Sequence, residues 1–209
     1  MTTFDWVRHG QTQANVDQIM QGQLDSAVTH LTVNGLQQAE RLAQWLKNSH
    51  YDQLVSSPLH RTRQTTAALT ATLDVLPQFD ERLMEADYGQ WTGANFQGLR
   101  AQQPADFDAL TGEALPDTLA AVGGETYLDV QRRVGQWLAE EVVDHPDDHI
   151  LVVSHGLTIK ATALLMLAAP ATTALPEPGN TSLTRMVIDP VTGQRYLQSY
   201  AVSGQFRSS

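Results

Sequence analysis

Two His-Gly pairs, His9-Gly10 and His155-Gly156, stand far apart in the chain, and each follows a run that reads as a buried strand. The runs are Phe4-Asp5-Trp6-Val7-Arg8 and Ile150-Leu151-Val152-Val153-Ser154. Ligands of an open α/β sheet bind beyond the carboxyl ends of its strands. Two such strands in one sheet would therefore bring two imidazoles and the Arg8 guanidinium to one crevice. That set suits an anion, and phosphate best, because a guanidinium holds two oxygens at once and an imidazole changes charge near neutral pH.

Phosphoryl transfer without a metal needs a nucleophile, charge compensation and an acid for the leaving alkoxide. His9 fits the nucleophile, and Gly10 is expected to let a phosphate approach the backbone at the strand-to-helix turn. Arg61, one turn into the helix expected after Ser56-Ser57-Pro58, is placed to reach the same crevice. His155 adds a further polar group and, when protonated, positive charge. Taken singly, a His-Gly pair is a common turn and Arg61 an ordinary solvated helix residue. Arg8 is harder to dismiss, because an arginine closing an apolar strand must find an anion or water.

The elements that must position these residues alternate between strand-like and helix-like runs, an order that favours a parallel α/β sheet. Strands are predicted over about 4–8, 53–56, 75–79, 149–154, 181–189 and 195–202. Helices are predicted over 32–48, 59–73, 125–143 and 157–168. The first helix is expected to bury Leu36, Ala39, Leu42, Ala43 and Leu46, and the third Leu128, Val134, Trp137, Leu138 and Val142. Serine and Pro58 are expected to start the helix at 59. Residues 86–123, with five glycines and two prolines, are the least regular stretch and read as a lid or substrate loop. In and beside it, Phe96, Phe107, Leu110, Leu115 and Leu119 read either as pocket rim or as packing, and the region around Pro176 to Asn180 as rim.

The chain has 209 residues, 42% hydrophobic and 17% charged, consistent with one globular domain spanning 1–209. Its net charge of −10 argues against a nucleic-acid partner and requires any phosphate site to be a local basic pocket in an acidic surface. There is no cysteine, which removes disulfides, thiol nucleophiles and cysteine-ligated zinc and suits a cytoplasmic setting. No signal peptide or membrane span is expected. His30, His50, His60, His145 and His149 show no metal-ligand spacing and are expected at the surface or at helix ends.

Val7-Arg8-His9-Gly10-Gln11-Thr12-Gln13-Ala14-Asn15 resembles the signature of the histidine phosphatase superfamily, the phosphoglycerate-mutase-like proteins. Further matches run in order along nearly the whole chain. They include Gln21-Gly22, Leu31-Thr32-Val33-Asn34-Gly35, Ser56-Ser57-Pro58-Leu59 with Arg61, Leu83-Met84-Glu85 with Tyr88-Gly89, Gly123-Gly124-Glu125-Thr126 and Val153-Ser154-His155-Gly156. The resemblance implies a three-layer α/β/α sandwich around a mostly parallel sheet, with no metal or organic cofactor. By the same resemblance His9 becomes a phosphohistidine, and Arg8, Arg61 and His155 bind the transferring group. Asn15 adds a side-chain donor, Gln21, Gly22 and the backbone near Gly156 line the site, and Glu85 is the proton donor. The family often forms homodimers. Gln11, the Asp25–His30 stretch, Thr92 and Leu157 depart from the common pattern, outside the implied catalytic set.

Three functions fit this pattern. The first is a phosphomonoester phosphatase acting on a small phosphorylated metabolite. The second is a 2,3-bisphosphoglycerate-dependent phosphoglycerate mutase, which must exclude water and grip a second anionic group. The third is a non-catalytic phospho-ligand-binding module. Residues 86–123 hold one basic residue, Arg100, which favours the phosphatase over the mutase. The retention of His9, Glu85 and His155 disfavours the binding module.

Overall fold

The computed structural model describes residues 1–116 and 118–203. The last six residues of the expected domain, and residue 117 of the expected lid, lie outside the described residues. The strands are β1 (Thr2–Arg8), β2 (Gln53–Ser56), β3 (Pro77–Phe79), β4 (His149–Ser154), β5 (Leu183–Ile188) and β6 (Arg195–Val202). The helices are α1 (Gln13–Val16), α2 (Val33–Leu46), α3 (His60–Thr70), α4 (Phe96–Gln102), α5 (Thr118–Ala121), α6 (Tyr127–Asp144) and α7 (Gly156–Met166). They build one six-stranded sheet in the order β3-β2-β4-β1-β5-β6. The four strands β3, β2, β4 and β1 run parallel, and β5 and β6 add an antiparallel edge hairpin.

The two central strands are mostly apolar, Asp5 of β1 excepted, between their polar ends because both faces of the sheet are covered. Phe4, Trp6, Ile150 and Val152 point to one face and pack with α6 and α7 residues such as Val134, Trp137 and Ile159. Val7, Leu151 and Val153 point to the other face, onto Leu42, Leu46 and Leu69 of α2 and α3. Trp137 meets Phe4 and Trp6 edge-on, each at 5.7 Å between ring centroids. The three-layer sandwich is thus the direct result of alternation along β1 and β4.

Helix faces differ in detail from expectation. Leu36 and Leu128 are exposed, and their places in the core are taken by Gly35 and by Tyr127 with Val130. Gly35 is buried because α2 crosses the turn after β1 backbone to backbone. A Cβ on Gly10 would lie 2.5 Å from the carbonyl oxygen of Gly35, and one on Gly35 would collide with that of Gln11. Gly10 is therefore demanded by helix packing. Thr32 and Thr126 cap α2 and α6 as their spacing suggests. No serine caps α3, whose N-cap is Leu59. Ser57 is committed elsewhere.

Residues 86–123 are more ordered than their glycines imply. Trp91 stacks on Phe107 at 5.2 Å, and Phe96 meets Phe107 edge-on at 5.4 Å. Phe107 and Leu119 are buried, whereas Leu110 is 94% exposed and Leu115 also reaches solvent. Among the described residues no helix is long and apolar enough to cross a membrane.

Candidate active site

The register of the sheet places the site. Arg8 of β1 lies opposite Ser154 of β4, and Ser56 of β2 opposite Val153. The residues that follow, His9, His155 and Ser57, therefore leave three adjacent parallel strands at the same edge. The rings of His9 and His155 are 5.3 Å apart between centroids.

The buried imidazole of His9 has its Nδ1 2.8 Å from the carbonyl oxygen of Gly10. A carbonyl only accepts, so Nδ1 carries the proton and Nε2 keeps a free lone pair. Burial first, then the charges of Arg61 and Arg8, hold this imidazole well below the usual histidine range, so it stays neutral. The turn is tied down by the Gly10 N–H, which donates to Thr65 Oγ1 at 3.0 Å.

Arg61 is fully buried in the first turn of α3. It donates from Nη2 to the Gly22 carbonyl at 2.7 Å, from Nη1 to the Leu24 carbonyl at 3.0 Å, and from Nε to His155 Nδ1 at 3.2 Å. Two of its five N–H groups remain for a ligand. Gly22 thus serves the site by orienting Arg61. Arg8 donates from Nη1 to the Pro178 carbonyl at 2.7 Å, while its Nε is buried without a partner. A buried cationic donor left over in this way calls for an anion.

His155 departs from expectation. Its Nδ1 accepts from Arg61, and its Nε2 lies 2.7 Å from Ser57 Oγ. Burial and the neighbouring Arg61 push its titration well below the usual range. It contributes a neutral, polar ring, and the positive charge expected of its protonated form is disfavoured. Glu85 also has an unexpected setting. Its carboxylate accepts from the backbone N–H of Ala86, Leu157 and Thr158 and from Thr158 Oγ1, at 3.0–3.3 Å. It thereby takes two of the N-terminal donors of α7 that a phosphate would otherwise use.

A cavity of about 290 Å³ opens over this edge. Arg8, His9, Asn15, Gln21, Gly22, Arg61 and Glu85 are on its wall. His155 and Gly156 are not. Phe96 and Leu119 line it with Tyr88, Tyr127, Glu113 and Glu177; of the other expected rim residues Phe107 is buried in packing, while Leu110 and Leu115 are exposed and off the cavity wall. Asn15 accepts from the Thr12 N–H at 3.0 Å and from Asn180 Nδ2 at 3.3 Å, leaving its own amide nitrogen for a ligand.

The histidine phosphatase superfamily (branch 1) matches residues 6–200. The chain belongs to this superfamily. Among its relatives are the glucosyl-3-phosphoglycerate phosphatase of Mycobacterium tuberculosis, 34% identical over 190 residues (86% of this chain, 82% of the relative), and phosphoserine phosphatase 1 of Hydrogenobacter thermophilus, 32% identical over 161 residues (77% and 74%). A solved mycobacterial glucosyl-3-phosphoglycerate phosphatase in complex with VO3 superposes with a TM-score of 0.82 at 30% identity, over 96% of this chain and 99% of that one. Within this histidine phosphatase fold, sequence reasoning gave no role to Thr65 or Glu113, took Ser57 only as part of a helix start, and reached Glu177 and Asn180 only as part of a rim around Pro176 to Asn180, of which Glu177 lines the cavity. Asn180 donates to the His9 carbonyl at 2.9 Å, and its only sequence signal is the turn-forming Gly179-Asn180 before β5.

Proposed function

We propose that the chain is a phosphomonoester phosphatase working through a phosphohistidine on a small phosphorylated metabolite. His9 Nε2 attacks phosphorus, the ester P–O bond breaks, and Glu85, which takes up one proton as the anionic ester binds beside it, gives that proton to the departing alkoxide. Water then attacks the phosphohistidine, Glu85 takes the proton back, and the P–N bond breaks to release phosphate. Arg8 and Arg61 compensate the phosphoryl charge, Asn15 adds a donor, and Gln21, Gly22 and Gly156 shape the site. His155 acts by holding Arg61. The observation that carries this reading is the His9 tautomer, whose free Nε2 lies in a cavity shared with two arginines.

The rim supports hydrolysis over mutase chemistry. Residues 111–114 and Glu177 give the cavity two carboxylates, and among the described residues its wall holds no cation beyond Arg8 and Arg61. The one basic side chain of the 86–123 segment, Arg100, lies over the Phe96 ring at 5.9 Å and is not on the cavity wall. Nothing there clamps the second anion that a bisphosphoglycerate intermediate needs. The cavity is at the small end for ligand sites, which suits a compact alcohol. Relatives named for two different phosphorylated metabolites support the same class.

The test is incubation with an aryl phosphate and, separately, with 3-phosphoglycerate plus 2,3-bisphosphoglycerate, in chelator. Free phosphate from the aryl ester without 2-phosphoglycerate is expected. Formation of 2-phosphoglycerate would establish the mutase instead. Binding of phosphate with no turnover of a panel of phosphomonoesters would establish a phospho-ligand-binding module.

A further inference from the structure

Glu177, between α7 and β5, stands where the reacting group must go. Its Oε2 is 3.5 Å from Arg8 Nη1. It also lies so close over Gly156 that a Cβ there would collide with it, while meeting Arg8 Cζ at 3.0 Å. Gly156 opens α7, so the carboxylate occupies the point where an arginine and a helix N-terminus meet, a natural seat for an anion. With Glu177 on the cavity wall, Gly156 is absent from it. The segment is held by contacts that do not use the Glu177 carboxyl. Its backbone N–H donates to Glu113 Oε1 at 2.8 Å, and Glu113 is in turn paired with the buried Lys160. The Pro178 carbonyl takes Arg8. The carboxyl can therefore leave its seat without dismantling the rim.

We propose that Glu177 is an internal competitor for the phosphoryl site, holding Arg8 and the face of Gly156 until a phosphate displaces it. The proposal rests on the reading of Arg8 as a phosphoryl ligand. Arg8 and Lys160 favour the ionised form of Glu177, whereas burial, Glu85 and Glu113 oppose it. The phenols of Tyr88, Tyr127 and Tyr200 also face it, and burial keeps each of them neutral. Burial prevails, and the carboxyl is raised to about 7. An arriving phosphate adds negative charge and removes the Arg8 counter-ion. Above about pH 7, entry then requires that Glu177 swing away or take one proton from solvent; below it the neutral acid has little hold on Arg8.

The experiment is calorimetric titration with inorganic phosphate of the wild type and Glu177→Gln at about pH 5.5, 7 and 8.5. The ionisations of phosphate and of His9 are common to both proteins and drop out of the ratio. Equal affinities are expected at the lowest pH, with the variant tighter by on the order of tenfold at the highest. Repeating the titration at the highest pH in two buffers of different ionisation enthalpy should show more proton uptake by the wild type. Glu177→Ala should shift affinity in the same direction, which separates loss of the charge from any contact made by the glutamine amide. A ratio that is flat with pH, or weaker binding by the variants throughout, would overturn the proposal. So would the absence of binding by any of the proteins. The expected ratio without turnover of any phosphomonoester would overturn the phosphatase reading alone.

Discussion

Arg61 Nε donates to Nδ1 of His155 at 3.2 Å, and this contact sets the protonation of the imidazole. With Nδ1 accepting, the ring proton sits on Nε2, which has Ser57 Oγ at 2.7 Å. A second proton would set two N–H groups against each other beside a buried guanidinium. Ser57, His155 and Arg61 thus form a chain whose free end is the two N–H groups that Arg61 keeps for a ligand. A lysine can keep the charge but not the fork. Arg61→Lys is expected to lower kcat/KM by on the order of a hundredfold or more, with KM for an aryl phosphate raised. A loss under threefold in steady-state assays would detach Arg61 from the reacting group.

The depressed titration of His9 has a direct signature in the pH profile. Burial and the charges of Arg61 and Arg8 keep the imidazole neutral well below its usual value of 6.5. The nucleophile therefore stays unprotonated, and active, at pH values where an exposed histidine is mostly charged. The acid limb of kcat/KM that belongs to the free enzyme is expected below pH 6.5, and Arg8→Gln should move it upward by removing one of the repelling cations. Profiles of both proteins with an aryl phosphate decide this, and an acid limb at or above 6.5 in the wild type would contradict it.

The proposed covalent intermediate would make His9 indispensable. Rapid quenching with a labelled aryl phosphate should trap an acid-labile, base-stable phosphoenzyme in the wild type and none in His9→Ala. The variant is expected to lose turnover by at least about a thousandfold and still melt cooperatively. Full turnover by a cooperatively folded variant would remove His9 from the mechanism.

Much of this constellation was legible before any coordinates, and the reason is register. Arg8 and Ser154 face each other in two parallel strands. Two His-Gly pairs ending such strands must meet. Glu85 was legible only through the family pattern, since its own neighbours give no chemical hint. What stayed hidden comes from loops distant in sequence. Ser57 reads as a helix cap until His155 claims its hydroxyl, and Gly10 reads as a ligand-binding glycine until Gly35 is seen against it. Glu177 and Asn180 lie in a turn that reads as rim, but with no periodicity nothing local shows which of its side chains return to the end of β1. The exposed Leu36 and Leu128 show the complementary limit. A hydrophobic stripe fixes which face of a helix is covered but not how far the coverage extends.

The role of Glu85 is tested by varying the leaving group. Protonation matters little when a nitrophenolate departs and a great deal when an alkoxide does. Glu85→Gln is expected to slow hydrolysis of an alkyl phosphate by at least about a hundredfold more than that of 4-nitrophenyl phosphate. Since the glutamine amide must face some of the N–H donors that the carboxylate now satisfies, a modest loss of Tm should accompany this. Equal slowing of both esters would make Glu85 a structural clamp on α7.

Far from the site, Asp5 carries a separate prediction about stability. It is fully buried in β1 and accepts from Arg185 Nε and Nη2, both at 2.7 Å, and from the Tyr51 hydroxyl at 2.9 Å, with His149 Nε2 also at 2.9 Å. Burial alone would raise its carboxyl, but the hydrogen bonds from Arg185 and His149 prevail and bring it to about 2, against 3.8 for a free aspartate. A lowered acid contributes stability above its unfolded value and loses it as pH falls through the folded one. The contribution at neutral pH is about 2 kcal/mol and should disappear between about pH 4 and pH 2. His9 and His155 act over a different range. Held neutral by the fold, they cost stability as pH drops below 6.5, but they do so equally in wild type and variant. The difference in unfolding free energy between wild type and Asp5→Asn, from denaturant titrations, is therefore expected to shrink as pH falls from about 4 toward 2. A difference that stays constant down to the lowest pH would mean that Asp5 stabilises β1 through neutral hydrogen bonds and not through its charge.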